Sequence, residues 1–162
     1  VRADWQNLAR AAADNSGEQA EADLLRELLM FRLAGSPYAI PVERVREIVR
    51  PRTVTPVPRV PRAVLGVIAL RGEIVQVIDL RMRLGLDTPE PSRSSRVIVL
   101  HGDDDRVTGV LVDQVSEVLR VSEESIRPTS AGESGSVSEL CVGGEEFVSI
   151  VDLDRVLEIG AD

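Results

Sequence analysis

His101 is the only histidine in the chain, and it precedes a glycine and the acidic run Asp103-Asp104-Asp105. A general base or a zinc site needs a second His, a Cys or a carboxylate converging on the same point, and a lone imidazole at a strand-to-turn position is a poor start for either. The aspartate run lacks the alternating ligand spacing and closing glutamate of a calcium loop, so it reads as a solvated turn. Glu123-Glu124 and Glu145-Glu146 are sequence neighbours, which in a strand point to opposite sides and do not aim two carboxylates at one atom. Cys141, the sole cysteine, lies inside an apolar strand pattern and has no internal partner for a disulfide. The serines fall in linkers with no histidine placed among them, and no GxGxxG or GxxxxGK[ST] phosphate cradle is present. Asp79 and Asp152 each stand where an apolar strand gives way to a helix start, and an N-cap accounts for an aspartate there without catalysis. The chain reads as a non-enzymatic protein with no cofactor and no metal.

Composition narrows the class further. All 19 basic residues are arginine, which removes Schiff-base and P-loop lysine chemistry. A formal net charge of −8 without a basic run argues against binding a nucleic-acid backbone. Aromatics make up only 2% of the chain, so the core must come from Val, Ile and Leu, a bias that favours strands. A chain of 162 residues makes one domain or two very small ones and can bury about 70% of its unfolded surface. No run approaches about 18 apolar residues and no charged-then-apolar leader opens the sequence. A cytoplasmic protein without direct membrane insertion is expected. The opening at Val1 rather than Met also fits a trimmed or excised piece.

The elements that must position these side chains follow from periodicity. Trp5, Leu8, Ala9 and Ala12 share one helical face, and Glu18 to Leu29 has Leu24, Leu25 and Leu28 on one side, so residues 1–27 form a helix-prone extension. Leu29–Leu33, a Gly35-Ser36-Pro37 turn and Tyr38–Ile40 make a hairpin, and Val42–Val49 is strand or mixed. Pro51, Pro56, Pro58 and Pro61 exclude a helix or a central strand and mark an extended crossover. Val67–Leu70 and Ile74–Leu80 are two strands around an Arg71-Gly72-Glu73 corner, followed by a short helix capped by Asp79 and ended by Gly85. Thr88–Ser95 is a linker. Beyond it come strands over Arg96–Leu100, Val107–Val112 and Val115–Val121. A polar, flexible loop over Ser122–Ser138 follows, then strands at Leu140–Val142 and Phe147–Val151 and a last helix from Asp152.

The second half repeats the first. Ile74-Val75-Gln76-Val77-Ile78-Asp79-Leu80 matches Phe147-Val148-Ser149-Ile150-Val151-Asp152-Leu153 at an offset of 152 − 79 = 73. Val42–Ile48 matches Val112–Val118 at an offset of 113 − 43 = 70. Two blocks in the same order at nearly the same offset indicate an internal duplication. Each copy has about five short strands, and closure into a small barrel removes their edges. A barrel of about 65 residues is marginal alone, so two copies sharing a core are expected.

The run GVIALRGEIVQVIDLR, Gly66–Arg81, closely resembles the GVINLRGEIVPVIDLR signature of CheW-like adaptor domains of bacterial chemosensory signalling. The resemblance extends over both halves, from about Leu28 to Glu158. It implies a mainly β fold of two intertwined five-stranded SH3-like barrels, the first about 28–87, a linker 88–95 and the second about 96–158, within a domain over 28–160. It implies an adaptor that bridges the cytoplasmic tips of chemoreceptors to the regulatory domain of a CheA-type histidine kinase, recruited to receptor arrays, with no cofactor. Position by position, the family's receptor-binding groove falls on Val45, Glu47, Arg71, Val97, Gly109 and Val118. The kinase-facing surface is placed only coarsely, at the ends of both barrels. Two departures stand out: Ala69 replaces the usual Asn before LRG, and the N-terminal segment is longer and more helix-prone. Two other readings remain open. One is a regulatory domain cut from a larger kinase or receiver-containing adaptor. The other is a small-ligand or hydrolase double barrel, which would need His101 in a pocket with converging carboxylates.

Overall fold

A computed structural model describes residues 24–88, 90–102, 107–129 and 136–158. The expected helix at Trp5–Ala12 and the acidic turn Asp103–Asp105 lie outside these residues. In chain order the first half gives β1 (Leu25–Leu33), β2 (Ser36–Pro41), a 3-10 turn (Val42–Arg44), β3 (Val45–Val49), β4 (Val64–Leu70), β5 (Glu73–Asp79) and helix α1 (Leu80–Arg83). The second gives β6 (Arg96–Leu100), β7 (Val107–Val112), β8 (Gln114–Ser122), a 3-10 turn (Glu123–Ser125), β9 (Arg127–Pro128), β10 (Val137–Gly143), β11 (Glu146–Val151) and α2 (Leu153–Val156).

These strands form two sheets, ordered β8-β1-β2-β11-β10-β9 and β3-β6-β7-β5-β4. Neither sheet is drawn from one half of the chain. The β1–β2 hairpin of the first half sits between β8 and β11 of the second, and the β6–β7 hairpin of the second sits between β3 and β5 of the first. The two insertions are related by the repeat, down to the pairing sense, because β11–β2 and β5–β7 are both parallel. Each sheet thus mixes strands from both sides of residues 88–95. This is the intertwined mainly β architecture expected from the sequence.

Alternation of apolar side chains explains how the sheets bury three cores. Ile68, Val75, Val77, Val97, Val99 and Leu111 fill one barrel, and Leu28, Met30, Val121, Cys141, Val148 and Ile150 fill the other. Between them lies a shared core built from both halves, including Leu29, Phe31, Ile40, Ile78, Leu80, Ile98, Val110, Val112, Leu153 and Val156. The proline-rich crossover closes the first barrel: Thr55 bridges Val67 on the outer edge of β4, with N–H to carbonyl distances of 2.8 and 2.9 Å in the two directions. Only a glycine fits under that crossing. A Cβ on Gly66, whose φ is +144°, would lie 2.1 Å from the Thr55 carbonyl oxygen.

Two expectations are corrected. Leu25–Leu29 is strand, not the end of a helix, because β8 supplies backbone partners from Leu25 opposite Ser122 to Leu29 opposite Val118. The helical spacing of Leu24, Leu25 and Leu28 misleads, since Leu24 and Leu25 are exposed and only Leu28 is buried. The stretch after Ser122 is ordered further than a flexible loop, with a 3-10 turn, a buried Ile126 and the β9–β10 pairing before residue 129.

Candidate functional site

β3 is an edge strand of its sheet, and the β4–β5 hairpin forms the opposite end. The two ends meet through a crossed set of charges. Arg46 donates two hydrogen bonds to the carboxylate of Glu73, at 2.8 and 3.2 Å. Arg71 Nη2 lies 3.3 Å from Glu47 Oε1. Neighbours 46 and 47 carry opposite charges, as do 71 and 73, so each pairing matches and the barrel closes in one register. Hydrogen bonding to Arg46 holds the Glu73 carboxyl below its ordinary value.

Arg71 and Gly72 are the two loop residues of the β4–β5 hairpin, with φ of +51° and +81°. A tight hairpin of this kind requires positive φ at both loop positions, for which Asn or Gly is preferred over a residue with a long side chain. The left-handed conformation costs a residue such as arginine about 1–2 kcal/mol. The repeat supplies the comparison. The equivalent of Arg71 is Gly144 (71 + 73 = 144), at φ +64°, so the second copy uses glycine where the first holds a strained arginine. Arg71 remains 76% exposed while its partner Glu47 is 18% exposed. A cation is held out from the hairpin tip by a carboxylate seated against the barrel.

The remaining expected site residues divide by exposure. Val45, half-buried on β3, packs against the shared core. Val97 is 2% exposed and Gly109 is buried against it, so a Cβ at 109 would lie 2.6 Å from Val97 Cγ1. These two shape the wall of the barrel and present no side-chain area to a partner. Val118 is exposed on β8, in the other sheet, opposite Leu29. The structure therefore brings Glu47 and Arg71 into contact and Val97 against Gly109, while Val118 stands in the second sheet.

The two capping aspartates differ in what they hold. Among the described residues, the Asp152 carboxylate accepts from the Arg155 N–H alone, at 3.3 Å. Asp79 accepts from the N–H groups of Arg81 and Met82 and from the Arg81 guanidinium, which in turn donates to Asp113 Oδ1 at 2.8 Å. Asp113 Oδ2 also accepts from the Ala34 N–H at 2.7 Å. The buried Arg81 thus ties α1 to the β7–β8 corner and the β1–β2 turn. His101 is exposed, and its ring makes no hydrogen bond or ion pair among the described residues. It lines a cleft together with Asp154 and Glu158, and it joins neither carboxylate through a hydrogen bond or ion pair among the described residues.

Sequence reasoning missed the exposure of Ile74, Phe147 and Ile48, the last being the repeat partner of the expected site residue Val118. Ile74 and Phe147 open the two copies of the matching block and are 72% and 73% exposed. Ile48 and Val118, also repeat equivalents, are 41% and 46% exposed. The apolar exposure thus recurs at matched positions, one set on each barrel.

Comparison with known proteins shows the family and the fold. A family model described as CheW-like domain matches residues 27–160. The chain is 41% identical over 104 residues to the chemotaxis protein CheW of Rhizobium meliloti strain 1021, covering 64% of this chain and 66% of that protein. It is 30% identical over 148 residues to chemotaxis protein CheW of Helicobacter pylori, covering 91% of this chain and 88% of the relative. Among solved structures, the scaffolding protein TtCheW of Thermoanaerobacter tengcongensis superposes with a TM-score of 0.78 at 28% identity, over 85% of this chain and 95% of that one.

Proposed function

The chain belongs to the CheW-like domain family, and from that premise we propose that it is a cytoplasmic adaptor coupling chemoreceptors to a CheA-type histidine kinase. The observation that carries this reading is Arg71. A strained, exposed cation at a hairpin tip, oriented by Glu47, serves no stability purpose that glycine would not serve better. Backbone strain retained at an exposed polar residue is an expected mark of a recognition site. An exposed ion pair contributes about 0–1 kcal/mol to stability, so its use is in setting the register and charge of a partner. The partner at this end is the receptor tip, with Val45 beside the pair, Val97 with Gly109 fixing the shape of the wall, and Val118 contributing from the second sheet.

The kinase regulatory domain, itself similar to a double barrel, docks at the barrel ends through the exposed Ile74 and Phe147. Calorimetry tests the arrangement with purified receptor tip and kinase regulatory domain. Arg71→Glu is expected to abolish receptor-tip binding and leave kinase binding intact, and Phe147→Asp to do the reverse. If the unmodified protein binds neither, the adaptor reading fails for this chain.

A further inference from the structure

A cleft of about 540 Å³ opens where β3 and β6 end, lined by Arg50, Pro51, Pro91, Ser92, Arg93 and Arg96. The register places Val49 opposite Val97, so Arg50 and Arg96 face each other one residue beyond the last pair. Three arginines line this cleft and none of its lining residues is acidic. That is unexpected in a chain of net charge −8. Elsewhere Arg26, Arg32, Arg44, Arg46, Arg71 and Arg81 each meet a carboxylate, while other exposed arginines such as Arg52, Arg59 and Arg120 stand singly without one among the described residues. Arg50 and Arg93 pair with no carboxylate among the described residues, and neither does Arg96.

The rim is also stiff. Ser95 donates its N–H to the Ser92 carbonyl at 3.1 Å, the Ser92 N–H donates to Ser95 Oγ at 2.8 Å, and the Ser94 N–H donates to Ser92 Oγ at 3.1 Å. Arg96 Nη1 donates to the carbonyls of Arg93 and Ser95, at 2.8 and 2.7 Å. Its guanidinium is thereby held through Nη1, and Nε and Nη2 make no hydrogen bond among the described residues. Pro51 and Pro91 add walls of restricted backbone.

We propose that this cleft binds a phosphate monoester, through the forks of Arg50, Arg93 and Arg96. Like charges gathered without a counter-ion repel one another, and a dianion removes that repulsion. Phosphate suits the donors better than carboxylate, because three guanidinium forks offer more N–H groups than two oxygens can accept. The same chemistry could come from a free phosphorylated metabolite or from a phosphoserine on a peptide.

The test is a titration of the 15N-labelled protein with inorganic phosphate, AMP and a phosphoserine hexapeptide, followed by NMR. Saturable shifts confined to residues 49–52 and 91–97 are expected, weaker at a pH below the second phosphate ionisation than above it. Arg50→Gln and Arg93→Gln, both at exposed positions, are each expected to weaken binding about tenfold, the loss of one charge-assisted hydrogen bond. Tighter binding of AMP or of the peptide identifies the source of the phosphate. No saturable shift with any of the three at millimolar concentration overturns the proposal, as does unchanged affinity in both variants.

Discussion

At the scale of single residues, Arg71 separates stability from recognition. Its φ of +51° is one that glycine adopts freely, so Arg71→Gly is expected to raise unfolding free energy by about 1 kcal/mol, less whatever the exposed Glu47 pair supplied. The same variant should lose receptor-tip affinity. Urea denaturation alongside calorimetry reads both, and a variant that is less stable would show that the arginine is held for structure. Cys141 gives a second expectation at this scale. Burial, with the nearby charge of Glu139, pushes its thiol above the ordinary value. Thiolate is the reactive form, so a disulfide reagent at neutral pH should leave the native protein unlabelled and label it fully in urea.

At the scale of elements, the repeat provides internal controls. Asp79→Ala removes both a cap and the carboxylate facing a 3%-exposed guanidinium, whereas Asp152→Ala removes a cap alone. The expected losses are about 3–5 kcal/mol for the first and about 1 kcal/mol for the second, read from urea midpoints. Gly66→Ala should cost about 2–4 kcal/mol, since the crossover at Thr55 must lift off β4 to admit a methyl group. Much of this was legible in the sequence. The Asp79 cap, the hairpin around Arg71-Gly72 and the duplicated blocks all rest on local chemistry, in which the residues that decide are neighbours. What was not legible depends on distant partners. Leu25–Leu29 is a strand only because β8 lies beside it, and Arg81 is buried only because Asp113 comes from the other repeat. The exposure of Ile74 was hidden for a related reason, since an apolar strand residue shows nothing in sequence about which face the barrel turns inward.

At the scale of the molecule, salt links hold the barrels closed. Arg26 donates to Glu123 and Glu139 at 2.6 and 2.7 Å, Arg32 to Glu146 at 2.7 Å and Arg46 to Glu73 at 2.8 Å. The carboxyls of Glu73, Glu123 and Glu146 are each held below their ordinary 4.5 by the arginine hydrogen bond. A carboxyl depressed in the folded state contributes stability above its unfolded value and loses it as pH falls through the folded one. Urea midpoints should therefore be level at neutral pH and drop below about pH 4.5, and Arg26→Gln should flatten that drop. The exchanged hairpins also imply one cooperative unit, so residues 24–88 expressed alone should not give a folded barrel. The traded hairpins, β1–β2 for β6–β7, have the form of a symmetric dimer of two half-length chains, each lending an arm to the other, joined here through the segment at 88–95. Two tethered copies can differ in sequence, and they do where Arg81 of one repeat corresponds to Asp154 of the other: a homodimer could never have kept both.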